Sequence, residues 1–478
     1  MDTMNVPEGG KKTVYAYIAI FGAVVVLMML LGIIMRAAQG GSITIGADVF
    51  YQIMTAHGVG MVGIAGLGGA AIMWYFLRQY VVLHTGILIT NLLLFLVGVV
   101  CILSAIFLGK FGGAWTFLFP LPGQSMGAWS AGAAVLFLTG LLLVGVGFLL
   151  FYLDAGRGLI AEYGSFAKSL GWPQLFGKDD GNAPPPTVVA STMVTIVNTL
   201  ALVVGASILL MMIINILMPS FEVNALLAKN MIYFFGHTFI NATIYMAIIA
   251  VYEILPRYTD RPWKSNKVFL AAWTASTIMV LIVYPHHLFM DFAMPTWMLV
   301  MGQIISYTSG LPVLLVTTIG TLAIVYRSGI KWDMASALLF LSIFGWAGGV
   351  IPAVIDGTIA INQVMHNTMW VPGHFHFYLI LGMVAMVFGF MYYLIKEGRK
   401  GTDSALDRGS FWIYAISGTA FVFMFLISGK EGVARRFAVH FPEWQSYSNI
   451  ATVIAIFVLL GTVVFTLRFI FRLGARAT

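Results

Sequence analysis

Along the chain, apolar residues come in long, nearly unbroken runs, with neither the alternation of a half-buried strand nor the one-sided stripe of a surface helix. A membrane-spanning helix needs about 20 mostly apolar residues, and twelve runs qualify: 13–36, 50–77, 86–109, 126–153, 188–217, 230–255, 267–290, 296–326, 335–361, 373–395, 411–429 and 447–470. The pattern predicts an all-α, polytopic integral membrane protein, a single twelve-helix domain over residues 1–478. Lys11 and Lys12 precede a first run that is longer than the apolar core of a signal peptide, so it is expected to remain as a spanning helix. The longest connection, about 154–187, carries Gly181-Asn182-Ala183-Pro184-Pro185-Pro186 and reads as a cytoplasmic connector, polyproline-like at its end. No internal repeat stands out, which weighs against a transporter built from inverted halves.

Composition narrows this further. Charged residues make up 9% of the chain and apolar ones 60%, against roughly 25% charged in a soluble domain, so soluble, disordered and fibrous classes are excluded. The net charge of +7 would suggest nucleic acid in a soluble protein, but here it follows the membrane. Of the 25 Lys and Arg residues, Arg36, Lys110, Lys229, Lys430, Arg435 and Arg436 fall on one side of the bundle. The others, including Lys11, Arg78, Arg157, Lys264, Arg399, Lys400 and Arg476, fall on the opposite side. The positive-inside rule then places both termini in the cytoplasm of a prokaryotic inner membrane, with a lipid bilayer and no nucleic acid as surroundings. Cys101 is the single cysteine, so metal chemistry falls to histidine and carboxylate.

Seven of the nine histidines fall inside the second, sixth, seventh and tenth predicted helices or at their outer mouth. Ionisable groups in hydrocarbon are costly and mark function by default, although one such histidine alone is more often a packing or cavity-lining residue. His374 and His376 open the tenth helix; about 200° apart around its axis, they cannot share one small metal, but they can serve two flat cofactors on opposite faces, and haem iron commonly takes an axial histidine. In Tyr284-Pro285-His286-His287, neighbours about 100° apart reach one ion only if the backbone is irregular, and Pro285 removes a donor there. With His237 they make a three-imidazole set that suits copper or zinc better than magnesium or calcium; the bland alternative is a polar patch lining a water cavity. His57 lies in a glycine-rich stretch of the second helix that lets a flat cofactor approach the backbone, and paired with a tenth-helix histidine it would complete a six-coordinate haem. His84 and His440 match no ligand position and are expected at the interface.

These residues, in this order and helix assignment, resemble subunit I of the haem-copper oxidase superfamily over nearly the whole chain. The resemblance is closest to the B-type oxygen reductases, because Val364-Met365-His366-Asn367-Thr368-Met369-Trp370-Val371-Pro372-Gly373-His374-Phe375-His376 is similar to their tenth-helix signature. It implies two haems, of b or a type, and one copper ion, copper B. His57 and His376 would ligate the low-spin haem and His374 the high-spin haem. His237, His286 and His287 would hold the copper, while His366, Arg435 and Arg436 would attend the haem propionates. Without the motif, Arg435-Arg436 would read as an ordinary loop pair.

One position departs from the resemblance. A- and B-type enzymes carry a tyrosine four positions after the sixth-helix copper ligand, cross-linked to a copper histidine; here that position is Asn241. The C-type alternative, six residues before the histidine pair, is Val280, and the remaining candidates, Tyr284 and Tyr245, occupy no known cross-link position. In the family the tyrosine supplies one electron and a proton for splitting O2. Reducing two NO to N2O and water needs neither a tyrosyl radical nor four electrons, and the superfamily includes nitric oxide reductases. The sequence resembles a nitric oxide reductase branch lacking the tyrosine. Asn241 is also not the glutamate that helps hold non-haem iron in the better-known nitric oxide reductases, so copper is expected. An oxygen-reducing cytochrome c oxidase with an unusual site stays open, as does, from another class, a metal transporter or channel lined by histidine.

Tyr245 and Tyr252, seven residues apart on one helix face, with Glu253 and with Ser306, Tyr307, Thr308 and Ser309 on the eighth helix, outline a proton path; a polar stripe of this kind is as often helix-packing glue. The chain has neither the cysteine pair of a two-copper entry site nor a Cys-x-x-Cys-His haem motif. Electrons are therefore expected from a small membrane-anchored subunit with a cupredoxin-like or cytochrome domain, fed by a soluble cytochrome c or cupredoxin.

Overall fold

The computed structural model describes residues 4–114, 117–178, 181–396 and 403–477, with side chains to Leu473. Arg399, Lys400, the Arg476 side chain and Asp179 and Asp180 of the 154–187 connector lie outside the described residues. Among the described residues, twelve helices are long and apolar enough to cross a membrane: α1 (Glu8–Gln39), α2 (Ala47–Leu77), α3 (Thr85–Phe107), α4 (Ala131–Tyr163), α5 (Pro186–Leu217), α6 (Ala225–Thr259), α7 (Lys267–Leu288), α8 (Thr296–Val325), α9 (Met334–Asp356), α10 (Trp370–Ile395), α11 (Ala405–Lys430) and α12 (Pro442–Leu473). The expected all-α class and twelve spans hold, and the boundaries move for local reasons.

The fourth helix, expected over 126–153, is shifted: it starts after Ser130, whose hydroxyl accepts the Ala133 N–H at 3.1 Å. It continues to Tyr163 and ends where Gly164 takes φ 80. The first ten residues assigned to the connector are therefore helix. Asp154 and Arg157 end the apolar run but not the helix, because Asp154 accepts the His84 N–H and Nδ1 at 2.8 and 2.7 Å and the Arg157 guanidinium at 2.9 Å. That cluster pins the α2–α3 turn against α4.

Three spans lose regular α geometry. In α7 the α-helix stops at Ile282, and Tyr284–Leu288 form a 3-10 turn containing Pro285. In α8 the helix breaks at Gly310. In α10, Trp370–His376 is α-helical, Phe377–Val384 is a π-helix, and α geometry resumes at Ala385; such π segments are rare and cluster at functional sites. The π segment lies hard against α9: a Cβ on Gly345 would come within 2.4 Å of the Leu381 backbone, so only glycine fits there.

Helix α1 packs on both α2 and α12, which closes the outer ring of the bundle. Helices α2, α6 and α10 form the centre, with 72%, 83% and 89% of their spanning windows buried, against at most 50% in the other nine. All three central helices carry histidines expected to bind metal.

Candidate metal centre

One internal cavity of about 450 Å³ is lined by His57, His237, His286, His287, His366, His374 and His376, within the usual range for ligand sites. On one side the imidazoles of His57 (α2) and His376 (α10) face each other, 14° from parallel, with centroids 6.2 Å apart. With metal–nitrogen bonds of about 2 Å, that separation leaves room for one metal ion that both rings would hold. The Nδ1 atoms face main-chain oxygens: His57 that of Met28 at 2.7 Å, His376 that of Pro372 at 2.7 Å. A carbonyl can only accept, so each Nδ1 carries the hydrogen and each Nε2 is left to ligate. Phe421 and Phe425 pack edge-on against His376.

The other cluster joins α6 to the irregular turn of α7. Ligand atoms of His237, His286 and His287 lie within 4.8 Å of one another, with His237 Nδ1 facing His287 Nε2 at 2.8 Å. The 3-10 turn is what lets two consecutive histidines converge, as Pro285 suggested. Asn241, one turn after His237, places its amide nitrogen 3.3 Å from His237 Nε2. Ser306 of α8 lies 2.9 Å from His286 Nδ1.

His374 lines the same cavity, and its Nδ1 is buried without a protein partner. A buried nitrogen left unpaired is costly and suits a ring whose partner is a bound group. The two faces of α10 thus lead to different histidine sets, His376 to His57 and His374 to the triad's cavity. The haem and copper assignments fit the residues present.

At the end near the α9–α10 and α11–α12 connections the cavity is bounded by His366, Arg435, Arg436, Asp356 and Asn362. Arg435 N–H donates to the Asn367 carbonyl at 3.0 Å and its Nε has no protein partner, so its guanidinium is free to meet carboxylates. Burial and the neighbouring Arg436 lower the Arg435 pKa to about 10, and burial with both arginines lowers that of His366 to about 4. Two further basic and imidazole groups are buried. Arg36, sorted with outer loop charges, is 6% exposed and lines the cavity, with Met369 Sδ at 3.0 Å and the Phe425 ring at 5.3 Å, because α1 runs three residues past the expected end. His440, expected at the interface just before α12, is buried within the protein, bonded to Ser448 and the Ala434 carbonyl, each at 2.8 Å.

The proton-path residues separate into different directions. Tyr245 is buried against Trp273 and Trp346 and lines the cavity. Tyr252 meets Thr317 Oγ1 at 2.6 Å. Glu253, about 100° further round the helix, points instead to Tyr80, whose hydroxyl donates at 2.8 Å, and to Thr187. Thr308 is exposed and bonds back to Ile304 on its own helix, so it joins none of them. Tyr284 reaches away from the triad to Asn230 at 3.1 Å.

Two residues lie at the triad without having been assigned to it from the sequence. Ser306, expected on the proton path, contacts His286 instead, since its direction depends on how α8 packs. Tyr233 stacks on His287 at 5.3 Å and 15° from parallel; being one turn before His237, on the same face as Asn241, it could have been found by spacing.

The sequence model of the family described as "Cytochrome C and Quinol oxidase polypeptide I" matches residues 12–460. The chain is 24% identical over 270 residues to cytochrome c oxidase subunit 1 of Cereibacter sphaeroides, covering 54% of this chain and 46% of that protein. It is 24% identical over 366 residues to cytochrome c oxidase polypeptide 1 of Halobacterium salinarum, covering 73% and 57%. Both alignments span less than two thirds of the relative's own length. A solved structure described as "a heme-copper terminal oxidase dimer" aligns with a TM-score of 0.80 at 19% identity, over 98% of this chain and 84% of that one. At that identity the likeness is one of fold.

Proposed function

The chain belongs to the cytochrome c and quinol oxidase polypeptide I family, and from that premise we propose that it is the catalytic subunit of a membrane haem-copper terminal reductase that converts nitric oxide to nitrous oxide. The balance is two NO, two electrons and two protons to one N2O and one water. When bound, a low-spin haem, a high-spin haem and a copper ion supply electron transfer and the binding of NO. In this reading His57 and His376 hold the first haem, His374 the second, and His237, His286 and His287 the copper. His366, Arg435 and Arg436 neutralise and orient the propionates.

The observation that carries the choice of substrate is Asn241. Its amide is 3.3 Å from His237 Nε2, the side of the ring where a residue four positions on must reach. An amide gives neither an electron nor a phenolic proton, so two-electron chemistry suits this site. Protons would pass Tyr252 and Thr317 toward Tyr245 at the cavity wall. Electrons would enter from a small membrane-anchored cupredoxin-like or cytochrome subunit served by a soluble donor, with both termini of this chain cytoplasmic.

Oxygen reduction is the second reading. The named cytochrome c oxidase relatives favour it, and Tyr233 keeps a phenol beside the triad. Turnover of the reduced purified protein with NO and with O2 separates the two: N2O formation well above O2 uptake is expected, and vigorous four-electron O2 reduction with little N2O would refute the proposal. A visible spectrum without haem absorbance would refute both and favour a histidine-lined metal path.

A further inference from the structure

We infer that a file of ordered waters beside α5 forms a proton inlet of its own, entered at Glu253 and separate from Tyr252 and Thr317. The inference rests on the reading that reduction in the cavity consumes protons, whichever of NO and O2 is the substrate.

The entrance is a carboxylate held by hydroxyls. Glu253 Oε1 accepts the Tyr80 hydroxyl at 2.8 Å and also that of Thr187, in the first turn of α5. Its Oε2 faces the partly exposed Arg257 guanidinium at 3.6 Å, and the Glu253 side chain itself keeps 10% of its surface exposed, enough to meet water. From Thr187 onward, Ser191, Thr195 and Asn198 follow on one face of α5, within about 80° of one another and over about 17 Å of its axis. All four are exposed by 2% or less.

These groups differ from the other buried hydroxyls in their bonding. Thr192 on the same helix and Thr462 on α12 donate to the carbonyl four residues back. Ser191 and Thr195 do not, and with Asn198 Oδ1 they have no partner among the described residues. Unpaired polar atoms are costly to bury, and three of them at one-turn spacing offer successive waters the polar contacts that a buried water needs. The file ends where the Asn198 amide donates to the Tyr152 hydroxyl at 2.8 Å and to Thr243 Oγ1 at 3.2 Å. Thr243 lies two residues past Asn241, about 3 Å along α6, so the file climbs to the level of the triad. A proton moves along it as O–H bonds of hydroxyls and waters break and form in turn. Each oxygen gains one proton as it gives up another, and nothing else is consumed.

The test uses purified full-length protein and the variants Glu253→Gln, Thr195→Val, Thr195→Ser and Thr192→Val. Proton uptake is read with a pH-indicating dye as the reduced protein turns over NO or O2, together with the haem spectra. Glu253→Gln and Thr195→Val should each slow uptake about tenfold with the haem spectra unchanged. Thr195→Ser keeps the hydroxyl and should keep the parent rate. Thr192→Val should match the parent too, because that hydroxyl is already bonded to the Val188 carbonyl. The inference is overturned if either Glu253→Gln or Thr195→Val takes up protons at the parent rate, if Thr192→Val slows uptake as much as Thr195→Val, or if a high-resolution map shows no water beside Ser191 and Thr195. A parent that reduces neither substrate would instead sink the functional reading, and the map would still decide whether the file exists.

Discussion

The two histidine clusters sit in one cavity but are held in different ways. The rings of His57 and His376 hang from main-chain carbonyls, those of Met28 and Pro372, which no substitution at those positions removes. The rings of His237 and His286 lean on side chains, Asn241 and Ser306, which single substitutions can change. The first arrangement fixes ring orientation through the backbone. The second leaves its outer contacts open to change, and the resemblance and the structure differ most in chemistry at one of them, Asn241.

The strongest way to break the comparison is to remove a ligand from each side. His57→Ala should abolish the bis-histidine haem signal while leaving copper at the triad, read by the visible spectrum and elemental analysis; loss of both would mean that the clusters are not independent. His286→Ala should do the opposite, cutting copper content about tenfold or more with the low-spin spectrum intact. Next in size, Asn241→Tyr should keep both haems, because residue 241 ligates neither. N2O formation should fall about tenfold as the phenol crowds the cavity and strips His237 of its outer contact. Loss of the haem signals would contradict that placement.

Tyr233→Phe sharpens the substrate assignment with a smaller effect. The ring still stacks on His287, so N2O formation should change less than about twofold, whereas a site that needed the phenol for O2 would lose most of its turnover. The smallest effect concerns the α11–α12 connection. His440 donates from Nε2 to the Ala434 carbonyl and accepts at Nδ1 from Ser448, and burial, with Arg36 nearby, lowers its pKa to about 4. The unfolded chain, with an ordinary value of about 6.5, takes up the proton first. Its contribution is therefore complete above that pH and is lost as pH falls toward about 4. The unfolding midpoint should drop over that window, and less steeply in His440→Gln.

The chain alone determined a great deal. Twelve spans, one cavity-forming set of seven histidines and the oddity of Asn241 were all legible, because burial in lipid demands long apolar runs and makes every ionisable residue within them conspicuous. Spacing even anticipated that His374 and His376 would lie on different faces of α10. Tertiary structure decided what depends on direction rather than presence. Glu253 parted from Tyr252, Thr308 turned outward, Tyr284 turned toward Asn230 and Arg36 turned inward, because rotation about a helix axis is set by packing, not by composition. Ser306 came to His286 from another helix, and the hydrogens on His57 and His376 were assigned by the carbonyls they face. Identity tells which atoms can bind a metal; only the fold tells which lone pair is left over to do it.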